Sequence, residues 1–247
     1  MPSDQPLSLF IPCLIDQVYP EMGFSMVRVL RRLGCEVRYR DEQTCCGQPA
    51  FNAGHQSEAK AVARHFIAVF QDDEKLVCPS GSCTAMVRNF YPGLLGDAGR
   101  KQAGAVFEFS EYLARADLIG KIKGSFPAKI AFHNSCHSYR ELGIAEVPMQ
   151  IIAQIDGVEL CQPAGEPVCC GFGGVFSVKF SAIAGAMADT RLQMFLDAGA
   201  EVLVSNDPGC IMHLRQECAD RGLSMRILHL AEFLDEAMAE HAGDRRV

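Results

Sequence analysis

Twelve of the 247 residues are cysteine, and eight of these fall into a pattern with chemical content. The triplet Cys-Cys-Gly occurs twice, at Cys45-Cys46-Gly47 and Cys169-Cys170-Gly171. A single cysteine precedes each: Cys13 with 31 residues between, Cys136 with 32. Another follows each glycine: Cys83 with 35 residues between, and Cys210 with 38. Four thiolates carried on three separated loops can surround an ion or a cluster. Two adjacent cysteines cannot both enter one apolar core without local contortion, but both can reach a centre holding several metal atoms. The glycine lets the backbone approach closely and aim N–H groups at sulfur. Sulfur donors of this kind select zinc, copper(I) or iron–sulfur.

A fifth donor is available near each set. His213 lies three residues past Cys210, and Met86, a poor iron ligand, three past Cys83. Cys78 precedes Cys83 by five positions, while its counterpart is Ser205, which leaves its role undecided. His133 and His137 flank Cys136 and read as loop residues before they read as ligands. Cys35, Cys161 and Cys218 have no repeated context and read as plain thiols, which pack as small hydrophobes. His55, His65, His229 and His241 read as structural or solvated, and the acidic tail 235–244 as a solvated helix end.

The positioning elements follow from the same repeat. The offsets between corresponding cysteines are 123, 124 and 127, and the flanks agree: Leu76-Val77-Cys78 parallels Leu203-Val204-Ser205. Internal duplication is the economical explanation. Strands are expected near 7–12, 36–39, 75–77 and 106–109, and again near 129–132, 158–160, 201–204 and 226–228. Between them, Ala59, Val62, Ala63, Phe66, Ile67 and Phe70 fall at helical spacing. Strands alternating with helices imply right-handed crossovers and a mostly parallel sheet. The fold class is therefore α/β, in two pseudo-repeated small domains, 1–122 and 123–247, each a mostly parallel sheet of about four strands flanked by helices. A polar joint is expected at 120–127. The repeated cysteines would then gather beyond the carboxyl ends of the strands, where open α/β sheets place ligands.

Composition narrows the function classes. Thirty acids against 23 Lys and Arg give a formal charge of −7, the opposite of a nucleic-acid footprint. No apolar run is long enough for a spanning helix. The N-terminal segment lacks a basic region before its apolar stretch, so no export signal is read there, and a reducing cytoplasm is the expected location. In that compartment such cysteines serve metal or redox chemistry rather than disulfides. No glycine-rich phosphate loop appears.

At these residues the chain resembles the cysteine-rich domain family marked by Cys, then Cys-Cys-Gly, then Cys-x-x-Cys, which includes one of the heterodisulfide reductase subunits and the iron–sulfur subunit of glycolate oxidase. The segments Pro79 to Cys83 and Cys169 to Gly174 are most similar to its lactate-utilization branch. The resemblance implies one iron–sulfur centre per half, of [4Fe-4S] type, held by Cys13, Cys45, Cys46 and Cys83 and by Cys136, Cys169, Cys170 and Cys210, with His213 at the position of the family's last cysteine. Met86 holds that position in the first half, so zinc in one site stays open. Ferredoxin-type cysteine spacing is absent. The resemblance thus implies an oxidoreductase subunit that works only within a complex oxidising L-lactate to pyruvate, its partners a ferredoxin-type iron–sulfur subunit and a third subunit. Two other readings stand beside electron transfer: a zinc scaffold of that complex, and a thiol–disulfide enzyme.

Overall fold

The computed structural model describes residues 6–165 and 168–242. Among the described residues, eight strands form two parallel sheets. The first has the order β2-β1-β3-β4, from β1 (Leu7–Leu9), β2 (Val37–Tyr39), β3 (Leu76–Cys78) and β4 (Val106–Glu108). The second repeats it as β6-β5-β7-β8, from β5 (Ser125–His133), β6 (Asp156–Cys161), β7 (Val202–Ser205) and β8 (Arg226–His229). The expected α/β class, with two four-stranded parallel sheets and flanking helices, is what the chain adopts. The polar joint is shorter than expected, because β5 already begins at Ser125 and runs through Pro127.

The helices form for ordinary reasons. The helix Pro20–Arg32 has proline at its first position and Arg31 and Arg32 in its last turn, where the dipole favours cations. It buries Met22, Met26, Val29 and Leu30. The helix Gln56–Phe70 buries Ala59, Ala63, Phe66 and Phe70, and the helix Ser181–Asp197 buries Ala184, Ala188, Arg191 and Phe195 at the same spacing.

The larger apolar core crosses between the halves, joining Met26, Val29 and Leu30 to Ile130, Phe233 and Leu234. A smaller core belongs to the first half alone and contains Phe10, Phe66, Phe70, Tyr91, Cys46, Cys78 and Cys83. The tail departs from expectation at Asp235. That residue is buried, and Arg28 and Arg32 of the helix Pro20–Arg32 both ion-pair with it at 2.6 Å. Asp244 and the His241 side chain lie outside the described residues.

In each sheet the chain runs one way from the first strand to the second and the other way to the third. The crevice at such a reversal lies between β1 and β3, and between β5 and β7.

Candidate metal centre

The repeated cysteines come from the strands that flank those crevices. Cys13 opens the helix Cys13–Val18 after β1, and Cys136 follows the end of β5 with two residues between. Cys83 lies in the helix Gly81–Ala85 after β3, and Cys210 in the helix Pro208–Asp220 after β7. The Cys-Cys-Gly triplets reach in from the side. Gly47 and Gly171 take φ of 85° and 89°, a conformation that disfavours any side chain.

These loops bring the thiols together. Cys13 Sγ stands 3.7 Å from Cys45 Sγ, and Cys46 Sγ donates to Cys83 Sγ at 3.4 Å. In the second half Cys170 Sγ donates to Cys210 Sγ at 3.1 Å, and Cys136 hydrogen-bonds Cys169. Two thiolates on one tetrahedral metal with bonds near 2.3 Å lie about 3.8 Å apart, so these sets are gathered to the scale of metal ligation. All eight cysteines line a single cleft of about 210 Å³ between the halves. Cys13, Cys45, Cys136 and Cys169 keep partial exposure, while Cys46, Cys83, Cys170 and Cys210 are buried.

The electrostatics are asymmetric within each set in the same way. Hydrogen bonds from Cys13 and Cys46, with the amides of Gly47 and Cys46, pull the Cys45 thiol far below its ordinary range. Hydrogen bonds from Cys136 and Cys170, with the Gly171 amide, do the same for Cys169. The amide contacts measure 3.3 Å from Gly47 N to Cys45 Sγ and 3.4 Å from Gly171 N to Cys169 Sγ. Their partners Cys13 and Cys136 are pushed up by sharing that proton, and burial adds to the rise. In each set the first cysteine of the triplet is therefore the thiol held lowest, and binding a metal there releases protons.

The remaining candidates are placed as follows. His137 lines the cleft, with Nδ1 3.7 Å from Cys136 Sγ and Nε2 3.2 Å from Gln48 Nε2 of the first half. His213 is not brought to the cysteines; its Nε2 meets the Ala184 carbonyl at 3.1 Å, in a separate depression beside Phe172 and Arg215. Met86 and Cys78 are fully buried behind Cys83 and do not line the cleft. Cys218 hydrogen-bonds the carbonyls of Leu223 and Met225, and Cys35 packs against the larger core. Cys161 lies at the end of the edge strand β6, away from the cleft. His229 is buried and bonds the Pro79 carbonyl at 2.9 Å; burial lowers its pKa to about 4. His55 and His65 are exposed.

Besides His133, which the sequence places beside Cys136, two residues that the motif pattern did not single out, Arg191 and Asp207, belong to the site. A ring nitrogen of His133 lies within 4.8 Å of the sulfurs of both Cys170 and Cys210. Burial, reinforced by the neighbouring Arg191 cation, lowers His133 to about 3. Arg191 donates from Nε to His133 Nδ1 at 3.2 Å, and burial lowers Arg191 to about 10. Asp207 caps its own helix through Gly209 N at 3.1 Å and accepts from Ser82 N of the other half. The one available signal for Arg191 was its place at helical spacing from Ala184, Ala188 and Phe195.

Thiol sets repeated on two parallel α/β layers define a class, and comparison specifies it. Residues 7–88 and 130–215 each match the cysteine-rich domain (CCG) family, and the chain belongs to that family. It is 38% identical over 242 residues to lactate utilization protein A of Exiguobacterium sp., covering 95% of this chain and 98% of that protein. The corresponding Bacillus subtilis protein is 36% identical over 235 residues, covering 93% and 98%. Among solved structures, glutamate racemase from Francisella tularensis aligns over 97% of this chain and 80% of its own, at 13% identity and a TM-score of 0.38. Among the described residues no helix is long and apolar enough to cross a membrane.

Proposed function

We propose that this chain is an iron–sulfur electron-transfer subunit of a cytoplasmic system that oxidises L-lactate to pyruvate. The observation that carries the reading is the convergence of two cysteine quartets on one cleft. Each half, 1–122 and 123–247, holds one centre of [4Fe-4S] type. The ligands are Cys13, Cys45, Cys46 and Cys83 in the first half, and Cys136, Cys169, Cys170 and Cys210 in the second. Near-full-length relatives named lactate utilization protein A support the substrate class.

Such a group, when bound, supplies reversible one-electron storage. The chain's own residues do the rest. The amides of Gly47 and Gly171 donate to the sulfurs of Cys45 and Cys169, stabilising negative charge there as hydrogen bonds to cluster sulfur do. Tyr91 donates to the Cys46 carbonyl at 2.9 Å and fixes the triplet from behind. The apolar side chains behind the buried cysteines exclude water. The partial exposure of Cys13, Cys45, Cys136 and Cys169 gives a partner access to the cleft. That partner is a ferredoxin-type iron–sulfur subunit, with a third subunit completing the complex.

The short Sγ–Sγ separations favour a second reading, one zinc ion per quartet in a scaffold role, because a mononuclear tetrahedral site needs only such distances. One measurement separates the two. Protein purified without oxygen is assayed for iron, zinc and acid-labile sulfide, with visible spectra before and after dithionite. Iron with matching sulfide and a bleaching band upholds electron transfer; zinc without sulfide overturns it. The substrate class is tested by growth on L-lactate of a strain lacking the gene. Rescue by the wild-type chain and not by a Cys46→Ala, Cys170→Ala chain upholds it, and normal growth of the deletion strain overturns it.

A further inference from the structure

The two halves differ where their frames match. Phe10 follows β1 and precedes Cys13 by three residues; His133 ends β5 and precedes Cys136 by three. Phe66 and Phe70 are the last two buried residues of the helix Gln56–Phe70, and Arg191 and Phe195 hold the matching places, four apart, in its counterpart Ser181–Asp197. The geometry corresponds pair by pair. Phe10 and Phe70 have ring centroids 6.0 Å apart, and His133 and Phe195 6.1 Å. Phe10 meets Phe66 edge-to-face at 4.7 Å, where His133 Nδ1 meets Arg191 Nε at 3.2 Å. An aromatic cluster behind the first cysteine set is thus replaced behind the second by an imidazole and a guanidinium.

Two consequences follow from chemistry. The first concerns the tautomer. An arginine Nε–H is always a donor, so His133 Nδ1 must accept and the neutral ring carries its proton on Nε2. Nε2 is buried and has no hydrogen-bond partner among the described residues. A protonated Nε2 can donate to sulfur but cannot ligate metal. The second concerns charge. Arg191 is only 4% exposed, and among the described residues no carboxylate pairs with it. Its guanidinium stacks on Phe195, 4.2 Å from the ring centroid, and interacts electrostatically with Cys170 and Cys210. Buried cations require an anion, and the second thiolate set is the one at hand.

We infer that Arg191 and His133 form a cationic prop behind the second cysteine set, in which Arg191 holds His133 as an Nε2–H donor towards Cys170 and Cys210, and which makes the second centre the electron-accepting one of the pair. The assignment of direction rests on the cluster reading above; the arrangement of the two side chains does not. A fixed positive charge and a hydrogen-bond donor beside thiolate-bound iron favour the state with the extra electron. Both residues act through the cysteines and are positioning residues.

The test uses the full-length chain in two states. In the metal-free protein, long-range 1H–15N spectra of the imidazoles report the His133 tautomer. The Nε2–H form is expected, and an Nδ1–H form overturns the prop. In the iron- and sulfide-loaded protein, redox titration followed by electron paramagnetic resonance reads two couples. The His133→Phe, Arg191→Phe variant rebuilds the arrangement of the first half and so preserves packing. It is expected to move the higher of the two couples down by at least a tenfold change in its oxidised-to-reduced ratio, about 59 mV for one electron. The lower couple and the iron and sulfide content stay unchanged, and Arg191→Lys moves the higher couple less. Neither couple moving, both moving together, or the lower couple moving overturns the proposal. Loss of half the iron in His133→Phe also overturns it, by making His133 a ligand. If the chain holds zinc without sulfide, the cluster reading falls, and the tautomer spectrum alone upholds or overturns the prop.

Discussion

Asp207 of the second half accepts a hydrogen bond on Oδ2 from the backbone N–H of Ser82 in the first, at 2.8 Å. Its other oxygen accepts from Gly209 N at 3.1 Å, so one carboxyl group caps both the helix bearing Cys83 and the helix bearing Cys210. Gly81 N reciprocates to the Asn206 carbonyl at 3.2 Å. Asp207→Ala leaves the buried Gly209 amide and the part-buried Ser82 amide without this partner, and is expected to lower stability by about 2 kcal/mol. It should also loosen metal retention in both sets, because both capped helices carry a ligand. Urea unfolding and metal content of the purified variant check this. A loss confined to the second set would show that the cap does not act across the halves.

Single cysteine variants should dissect the two sets. Cys46→Ala is expected to lose the metal of the first set and keep that of the second, leaving about half the wild-type content; Cys170→Ala should do the reverse. Cys35→Ala, far from the cleft, should leave metal content unchanged. If Cys46→Ala empties both sets, the two form a single centre.

Gly171 and Gly47 share a conformation but not their surroundings. A Cβ on Gly171 would stand 2.5 Å from the Ala184 carbonyl oxygen and 2.9 Å from Met187 Cβ, whereas on Gly47 the nearest atom would be 3.3 Å away. Gly47→Ala should therefore cost about 1–2 kcal/mol, the strain of its left-handed backbone alone. Gly171→Ala should cost roughly 2 kcal/mol more, because backbone must move. Equal midpoints in chemical denaturation would contradict the difference.

Glu108 gives stability a pH dependence of unusual sign. It is fully buried at the end of β4, where burial raises its carboxyl to about 7 despite hydrogen bonds from Ser110 and the Glu111 amide. One oxygen, Oε1, has no hydrogen-bond partner among the described residues. The folded state binds this proton more tightly than the unfolded chain. The contribution is therefore fully present below the ordinary Glu range and is lost as pH rises through about 7. The difference in unfolding free energy between wild type and Glu108→Gln should change by about 3 kcal/mol between pH 4.5 and 8, with wild type falling relative to the variant. A constant difference would refute the buried-acid assignment.

Asp235 has the opposite sign. Burial would raise its carboxyl, but hydrogen bonds from Arg28 and Arg32 outweigh that and hold it below the usual range. Its contribution is present above the ordinary Asp range and is lost as pH falls through the lowered value. Because Arg28 and Arg32 are partly exposed, Asp235→Asn should cost about 2 kcal/mol rather than the full penalty of a broken buried pair. Thermal unfolding at neutral pH checks the size, and convergence of wild type and variant in acid checks the sign.

The residue order alone determined the repeated frame, the eight cysteines and the alternation of strands and helices. Ligand spacing and apolar periodicity are local properties, written within a few turns of chain. Both sheets, their parallel strands and the site of the cysteines at the strands' carboxyl ends followed from that pattern. What only the tertiary structure decided depends on contacts across more than a hundred residues. The docking of the halves opened both quartets onto one cleft and let Asp207 cap Ser82. It buried Asp235, which reads as solvated by composition, against Arg28 and Arg32. Helix rotation, a matter of packing rather than spacing, turned His213 to the Ala184 carbonyl and set Arg191 behind His133. The same three-residue step after a cysteine therefore led away from the site, while a histidine before one led into it.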